Sequence, residues 1–195
     1  MRNERKLIIV LTISWMLFLA SIVEIELHPM QMGYKYIQDY FNPPEQEPQI
    51  YITSYFSRQD NVTEIIINTI DKANESIYMM MYSFTLRSVA EKLVEKHEQG
   101  IGVYVILEPT QISNYSQCDY LNSSGVFVFV DNHAGLMHHK VIVIDGKIVI
   151  CGSYNLSNNA EKKNSEDIIL VRDENGEISQ RFIQEFNRIV YTGSG

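Results

Sequence analysis

The sequence has few cysteines, and they form no pattern that suits a metal centre. Only Cys118 and Cys151 occur among the 195 residues, with no Cys-x-x-Cys and no Cys/His spacing typical of zinc. A zinc site is therefore not expected. A disulfide between the two cysteines stays open for an exported domain, whereas the apolar run at 148–151 favours a free, buried Cys151.

Concentrated positive charge is also scarce in this chain. The net charge is −8, and no run of five or more Lys/Arg residues occurs. The first 32 residues carry three basic and three acidic residues, so the remainder is also at −8. Such a domain lacks the basic surface of a strong nucleic-acid binder, although Lys162 and Lys163 could contact a nucleic-acid backbone locally. No internal repeat is visible.

One long uncharged apolar run is present, at residues 7–23, with three basic residues before it and two acidic residues after it. A helix of this length, at about 1.5 Å rise per residue, just crosses a bilayer core. We therefore expect a cytoplasmic flank at 1–6, a transmembrane signal-anchor at 7–23, a juxtamembrane linker at 24–49 and an extracytoplasmic domain. The alternative is a cleaved signal peptide that leaves a secreted or periplasmic domain.

Residues 50–191 alternate between strand-like and helix-like patterns, which predicts one α/β catalytic domain. Strand-like runs lie at 50–56, 77–84, 103–107, 126–130, 140–144, 147–150 and 168–171. Strands that alternate with helices favour parallel pairing, and near-continuous apolar strands indicate a sheet buried on both faces. We predict a mixed, mostly parallel central sheet flanked by helices on both faces, with Asp145 and Gly146 as a hairpin turn.

Polar residues recur at spacing two within the apolar pattern between positions 138 and 166. The pairs are His138 with Lys140, Ser153 with Asn155, and Asn164 with Glu166. Because residues i and i+2 of a strand point to the same face, each pair can project two functional groups into one cleft. This arrangement suits the binding of a phosphate.

The spacing of these residues resembles the signature of the phospholipase D superfamily. His138-x-Lys140 is followed after four residues by Asp145, and after six more by Gly152-Ser153-x-Asn155. A downstream Asn-x-Glu at 164–166 matches the element that closes the site in that family. The resemblance covers about residues 51–190 and is greatest to the bacterial single-motif nucleases and the mitochondrial phospholipase D-like proteins. It implies a phospholipase D-like fold and a phosphodiesterase activity.

Each motif residue has an expected role in phosphodiester hydrolysis. We expect His138 to attack phosphorus and form a phosphohistidine. The equatorial phosphate oxygens would be bound by Lys140 and Asn155, with Ser153 and Asn164 in support. Glu166 would orient a histidine ring, while Asp145 and Gly152 would serve structure, at a turn and at a close backbone approach. We interpret His139 as structural and His133 as a solvated loop residue.

One histidine cannot stand on both sides of a phosphorus atom, so a single motif copy predicts a homodimer with the site on its two-fold axis. The resemblance implies the same solution, in which the second His138 is the general acid. No acidic cluster suits magnesium or calcium, so we expect neither a metal nor another cofactor. The substrate is expected to be nucleic acid, cut with little sequence preference, or alternatively a membrane phospholipid.

Overall fold

The computed structural model describes Trp15 and residues 50–193. Apart from Trp15, the predicted flank at 1–6, anchor at 7–23 and linker at 24–49 lie outside the described residues. No helix within the described part is long and apolar enough to span a bilayer. Backbone contacts divide the chain into two units, Met1–Glu47 and Pro48–Gly195, and the second unit contains the predicted catalytic domain.

A seven-stranded sheet forms the centre of the second unit. Its strands are β1 (Ile50–Phe56), β2 (Ser76–Met81), β3 (Gly102–Leu107), β4 (Phe127–Val130), β5 (Lys140–Ile144), β6 (Ile148–Gly152) and β7 (Asp167–Asp173). The order across the sheet is β1-β7-β6-β5-β2-β3-β4. The prediction of a mixed α/β sheet is confirmed.

The prediction that the sheet is mostly parallel is wrong. Only β2–β3 and β3–β4 are parallel, whereas the other four neighbouring pairs are antiparallel. Parallel neighbours need a crossover helix, and the second half of the chain instead enters the sheet through the β5–β6 hairpin. Its turn residues Asp145 and Gly146 have φ of 52° and 62°, the positive values that a type I′ turn requires. β1 pairs with β7 at the far edge of the sheet and not with β2.

Helices cover both faces of the sheet, as predicted. They are α1 (Val62–Ile70), α2 (Arg87–Glu98), a 3₁₀ turn (Pro109–Gln111), α3 (Cys118–Ser123), α4 (Asn158–Lys162) and α5 (Glu177–Gly193). Residues from α1 to α4 contribute to the larger core, and α5 supplies Phe186 and Ile189 to the smaller core on the other face. Strand alternation divides the strands between them, so that Met79 joins the larger core and Met80 the smaller.

The two cysteines lie on opposite faces of the sheet. Cys118 packs against the larger core and Cys151 against the smaller. Both are half-buried and both are free thiols. The disulfide that the sequence left open does not form, because the sheet separates the two sulfur atoms.

One edge of the sheet contains the strand ends that carry or adjoin the motif residues, namely those of β5, β6 and β7. The register pairs Met81 with Lys140 and Gly152 with Ile168, so the carboxyl ends of β2 and β6 lie beside the amino ends of β5 and β7. The carboxyl ends of β3 and β4 continue the same edge. We call this row of strand ends the site edge. We call the opposite row of strand ends, with the Asp145–Gly146 turn, the turn edge. Ligands of open α/β sheets commonly bind beyond the carboxyl ends of parallel strands.

Candidate functional site

His138 and Lys140 lie together at the start of β5. Lys140 Nζ is 3.3 Å from His138 Nδ1 and 3.2 Å from Nε2, and it donates to the backbone oxygen of His138 at 3.0 Å. The His138 side chain is exposed and Lys140 is half-buried. Burial lowers the pKa of the Lys140 ammonium, while the nearby Glu166 carboxylate acts to raise that pKa. The site edge therefore presents an accessible imidazole in contact with a partly desolvated amine.

Tyr82, immediately after β2, supports both of these side chains. Its ring lies edge-to-face on the His138 ring with centroids 4.3 Å apart, and Lys140 Nζ is 4.9 Å from the Tyr82 ring centroid. Its backbone N–H donates to the backbone oxygen of His139 at 2.8 Å. Sequence reasoning missed Tyr82 because it reads as one more apolar residue of the 77–84 run. The structure ends this strand at Met81, so Tyr82 lies just beyond its carboxyl end and not inside it.

Ser153 and Asn155 follow the end of β6. Ser153 Oγ donates to Asp167 Oδ1 at 3.0 Å and accepts from the Asp167 backbone N–H at 3.1 Å. Asn155 Oδ1 accepts from the backbone N–H of Ser83 at 3.3 Å, which leaves its side-chain N–H groups available to a ligand. A Cβ on Gly152 would lie 2.2 Å from the backbone oxygen of Asp167, so the strand end closes on β7 only with glycine at this position.

Asn164 and Glu166 form a hydrogen-bonded pair just before β7. Asn164 Nδ2 donates to Glu166 Oε1 at 2.8 Å. Buried Ser57, at the end of β1, holds this pair through its hydroxyl, which donates to Asn164 O and accepts from Glu166 N–H, both at 3.0 Å. Sequence reasoning missed Ser57, because a lone serine 109 positions from Glu166 carries no local signal.

The segment from Ser153 to Glu166 is held by a partly buried polar cluster. Tyr154 OH donates to Glu161 Oε2 at 2.5 Å, and Thr63 Oγ1 donates to the same oxygen at 2.9 Å. Burial is the main cause that raises the pKa of the Tyr154 phenol, and its hydrogen bond to Glu161 adds to this. The cluster ties the segment with Asn155 and Asn164 to helices α1 and α4.

Asp145 lies apart from the other motif residues, at the turn edge. Its carboxylate accepts hydrogen bonds from the backbone N–H groups of Asn74, Glu75 and Ser76 at 2.9 to 3.2 Å. The site edge thus brings together six of the predicted site residues, with Gly152 shaping the strand end. These six are His138, Lys140, Ser153, Asn155, Asn164 and Glu166.

The two remaining histidines of this region face away from the motif pair or are tied to other elements. His139 Nε2 is 3.4 Å from Glu185 on α5. His133 lies in a loop and is partly exposed, as interpreted, but its ring is also held by two contacts, from Nδ1 to Asp131 Oδ1 at 2.5 Å and from Nε2 to Thr192 Oγ1 at 2.6 Å. Across residues 50–193, no group of three or more His, Cys, Asp or Glu side chains is arranged to hold a metal ion.

Comparison with known proteins assigns the family. The profile described as "Cardiolipin synthase, PLD-like domain" matches residues 66–190. A phospholipase D of Rickettsia conorii is 32% identical over 136 residues, which cover 69% of this chain and 67% of that protein. The chain belongs to the phospholipase D superfamily. It is a phosphodiester hydrolase of the single-motif subgroup of this superfamily.

Two further members of the phospholipase D superfamily resemble this chain, one compared by sequence and one by structure. A mitochondrial cardiolipin hydrolase of Xenopus tropicalis is 34% identical over 119 residues, which cover 60% of this chain and 56% of that protein. The crystal structure of Nuc from Salmonella typhimurium, a phospholipase D family member, superposes with a TM-score of 0.70 at 26% identity. That superposition covers 74% of this chain and 97% of Nuc.

Proposed function

We propose that this chain is a homodimeric nuclease of low sequence specificity that hydrolyses phosphodiester bonds through a phosphohistidine at His138. The observation that carries the proposal is the contact of the exposed His138 imidazole with Lys140 Nζ, at 3.2 and 3.3 Å. A nucleophile beside a cation is the pairing that attack on a phosphate anion requires. The side-chain N–H groups of Asn155 provide further donors at the same edge.

The reaction proceeds in two in-line steps. A ring nitrogen of His138 attacks phosphorus, the bond to the leaving oxygen breaks, and the partner subunit's His138 gives that oxygen a proton. Water then gives a proton to the partner subunit's His138 and attacks the phosphohistidine, which releases the phosphate product and frees the ring nitrogen. Glu166 and His138 share no hydrogen bond within residues 50–193, so Glu166 is assigned to orient the partner subunit's His138.

Three exposed cations support nucleic acid as the substrate. Arg58 follows Ser57, and Lys162 and Lys163 precede Asn164, so all three adjoin one flank of the site. None of them forms an ion pair within residues 50–193. Lys92, by contrast, pairs with Asp71, just after α1, and with Glu95 on α2. The site therefore has three exposed cations beside it despite the net charge of −8, and these can contact a strand that extends beyond the scissile phosphate.

A phospholipid is the second candidate substrate, favoured by apolar side chains on the other flank. Ile112 is 38% exposed and lies beside Tyr82, and Leu136, two residues before His138, is 58% exposed. Not every apolar or aromatic side chain near this flank is available to a lipid. Met137 is buried, and the Tyr120 ring is covered by the Arg87 guanidinium at 3.2 Å.

The substrate is tested by assaying the full-length chain on single-stranded DNA, RNA and cardiolipin-containing vesicles. We expect cleavage of the nucleic acids and a loss of at least about a thousandfold in His138→Asn. His139→Asn is the matched control, because it removes the adjacent imidazole from the opposite face of the strand. Turnover of vesicles alone would favour the lipid candidate, and equal turnover by His138→Asn would exclude the proposed chemistry.

The composite site is tested by mixing wild type with inactive His138→Asn under conditions that exchange subunits. Because each site needs His138 from both subunits, mixed dimers are inactive. An equal mixture should then retain about one quarter of the wild-type rate, where independent sites would retain about one half. A retained rate near one half would show that one subunit is sufficient.

Membrane attachment through residues 7–23, with the catalytic domain outside the cytoplasm, belongs to the same proposal. The uncharged run and the charges on either side of it support an anchor. An anchored chain resists alkaline carbonate extraction of membranes. Release of a shortened chain into the soluble fraction would instead favour the cleaved signal peptide.

A further inference from the structure

Glu108, directly after β3, is a buried carboxylate that the proposed chemistry does not use. It is 1% exposed and forms no ion pair within residues 50–193. Its Oε2 accepts from the backbone N–H of Met137 at 2.8 Å. Its Oε1 accepts from the backbone N–H of Thr110 at 3.1 Å and from the Thr110 hydroxyl at 2.7 Å. Donors therefore occupy both oxygen atoms.

The Oε2 contact reaches His138 directly along the backbone. Met137 is buried and immediately precedes His138, in an irregular segment that joins β4 to β5. β5 begins at Lys140, and the pairing with β2 extends one residue further through the hydrogen bond from Tyr82 N–H to His139 O. Among residues 50–193, no ladder hydrogen bond reaches the backbone of His138 itself. The hydrogen bond from Met137 N–H to Glu108 fixes the chain one residue before the imidazole.

The Oε1 contacts reach His138 by a second route, through side chains. Glu108 is the N-cap of the 3₁₀ turn Pro109–Gln111. At the end of that turn, Gln111 Nε2 donates to Tyr82 OH at 3.1 Å. The Tyr82 ring packs on the His138 ring with centroids 4.3 Å apart. One carboxylate thus acts on the backbone before His138 and on the aromatic ring beside it.

We propose that Glu108 is a positioning residue that sets where the His138 imidazole stands for attack on phosphorus. The inference rests on the proposed role of His138 as nucleophile. The geometry requires a carboxylate, because glutamine offers one acceptor oxygen and turns an N–H₂ donor toward the other set of donors. Glu108→Gln therefore breaks one of the two routes at nearly constant side-chain volume. Small displacements of a reacting group have large effects on rate.

The test compares Glu108→Gln with wild type in the full-length chain, with rates normalised to folded dimer. We expect kcat to fall about tenfold to a hundredfold while KM stays within about twofold, since substrate contacts are kept. The pH dependence of kcat/KM should also differ from that of wild type. Glu98→Gln is the matched control, an exposed glutamate on α2, and should leave both constants unchanged.

Tyr82→Phe tests the second route and keeps the proposal testable if Glu108→Gln yields no folded protein. It removes only the hydroxyl that accepts from Gln111, and we expect kcat to fall about threefold to tenfold at constant KM. In a double-mutant cycle, the loss in Glu108→Gln/Tyr82→Phe should be smaller than the product of the two single losses. Independent, multiplicative losses would contradict a shared route.

The outcomes separate this inference from the proposed function. If His138→Asn is inactive while Glu108→Gln keeps the wild-type kcat and pH profile, the positioning role alone is wrong. A fall only in the amount of folded protein, with kcat unchanged, would overturn it as well. If His138→Asn remains active, the proposed chemistry fails whatever Glu108→Gln does.

Discussion

Each of the two edges of the sheet has a carboxylate that accepts hydrogen bonds from backbone N–H groups, but the two carboxylates lie in different surroundings. At the turn edge, Asp145 accepts hydrogen bonds from the backbone N–H groups of Asn74, Glu75 and Ser76. At the site edge, Glu108 accepts from the backbone N–H groups of Thr110 and Met137. Asp145 belongs to the sequence signature and lies at the opposite ends of the strands from His138. Glu108 is outside the signature and is hydrogen-bonded to Met137, the residue before His138.

A signature position can therefore serve fold geometry, as Asp145 does, and the role proposed for Glu108 assigns support of the reaction to a residue outside the signature. The turn edge is closed by a tight hairpin and a satisfied carboxylate. The site edge ends in irregular segments that expose an imidazole and partly desolvate a lysine. Sites that bind and react commonly lower stability in this way. Substitutions at the two edges should therefore separate activity from stability.

The largest effect is expected at the site edge, from Lys140→Met. Loss of the cation that contacts His138 should lower kcat/KM by at least about a thousandfold. The melting temperature should stay equal to wild type or rise, because a partly buried ammonium is replaced by an apolar chain of similar length. Steady-state kinetics and thermal unfolding of the same preparations measure both. A large fall in melting temperature would mean that Lys140 holds the fold together.

The pH dependence of Lys140 has a definite sign. Burial lowers its pKa in the folded state, so the unfolded chain binds the proton more tightly between that lowered pKa and the ordinary value of about 10.4. Wild-type stability should therefore rise relative to Lys140→Met as pH increases across this window. The alkaline limb of activity should begin below the pH at which free lysine titrates.

The next effect is expected at the turn edge, from Asp145→Ala. The variant loses the hydrogen bonds to three backbone N–H groups and places alanine at a φ of 52°, which should cost about 2 kcal/mol of unfolding free energy. The kcat of the folded fraction should equal that of wild type. Chemical denaturation and active-site titration provide the two measurements, and a lower kcat per folded site would assign Asp145 a part in the reaction.

The contribution of Asp145 should also depend on pH. Burial acts to raise its pKa, but the hydrogen bonds from Ser76, Glu75 and Asn74 together outweigh burial and leave the pKa below its usual range. The stabilisation is then fully present above the ordinary aspartate value of about 3.9 and is lost as pH falls below it. The stability gap between wild type and Asp145→Ala should be constant near neutrality and narrow in acid.

Local patterns in the sequence predicted the residues of the site edge better than the sheet that presents them. Spacing two pointed to pairs such as His138 and Lys140 as strand residues, and the structure instead places most of these residues just beyond the strand ends. The Asp145–Gly146 hairpin turn follows from its residue types. Strand direction has no such local signal, because a strand buried on both faces reads the same in a parallel or an antiparallel ladder. The prediction of a mostly parallel sheet was therefore wrong.

The supporting contacts were missed for a related reason. Glu108 and Met137 are 29 positions apart, and Ser57 and Glu166 are 109 apart. Each of these pairs meets only when several strands have assembled, so neither has a periodicity or spacing that could be recognised beforehand. Tyr82 was missed for a different reason. It lies within the apolar run 77–84, most of whose residues belong to the core. The motif residues at the strand ends lie close together in sequence, whereas the residues that hold them by hydrogen bonds lie far from them in sequence.

The smallest effect is expected from removing one exposed lysine. Substituting one lysine at each edge compares the contributions of the two charges. Lys163 lies beside Asn164 at the site edge, and Lys72 lies near the turn edge. Both are exposed, and neither forms an ion pair within residues 50–193. If a nucleic-acid strand follows the site-edge flank, Lys163→Ala should raise KM for single-stranded DNA about twofold to fivefold and reduce the slope of log affinity against log salt by about 0.7. Lys72→Ala removes the same charge and should change neither quantity. Equal effects of the two substitutions would show that only the net charge matters, and no effect of either would remove the main support for nucleic acid over phospholipid.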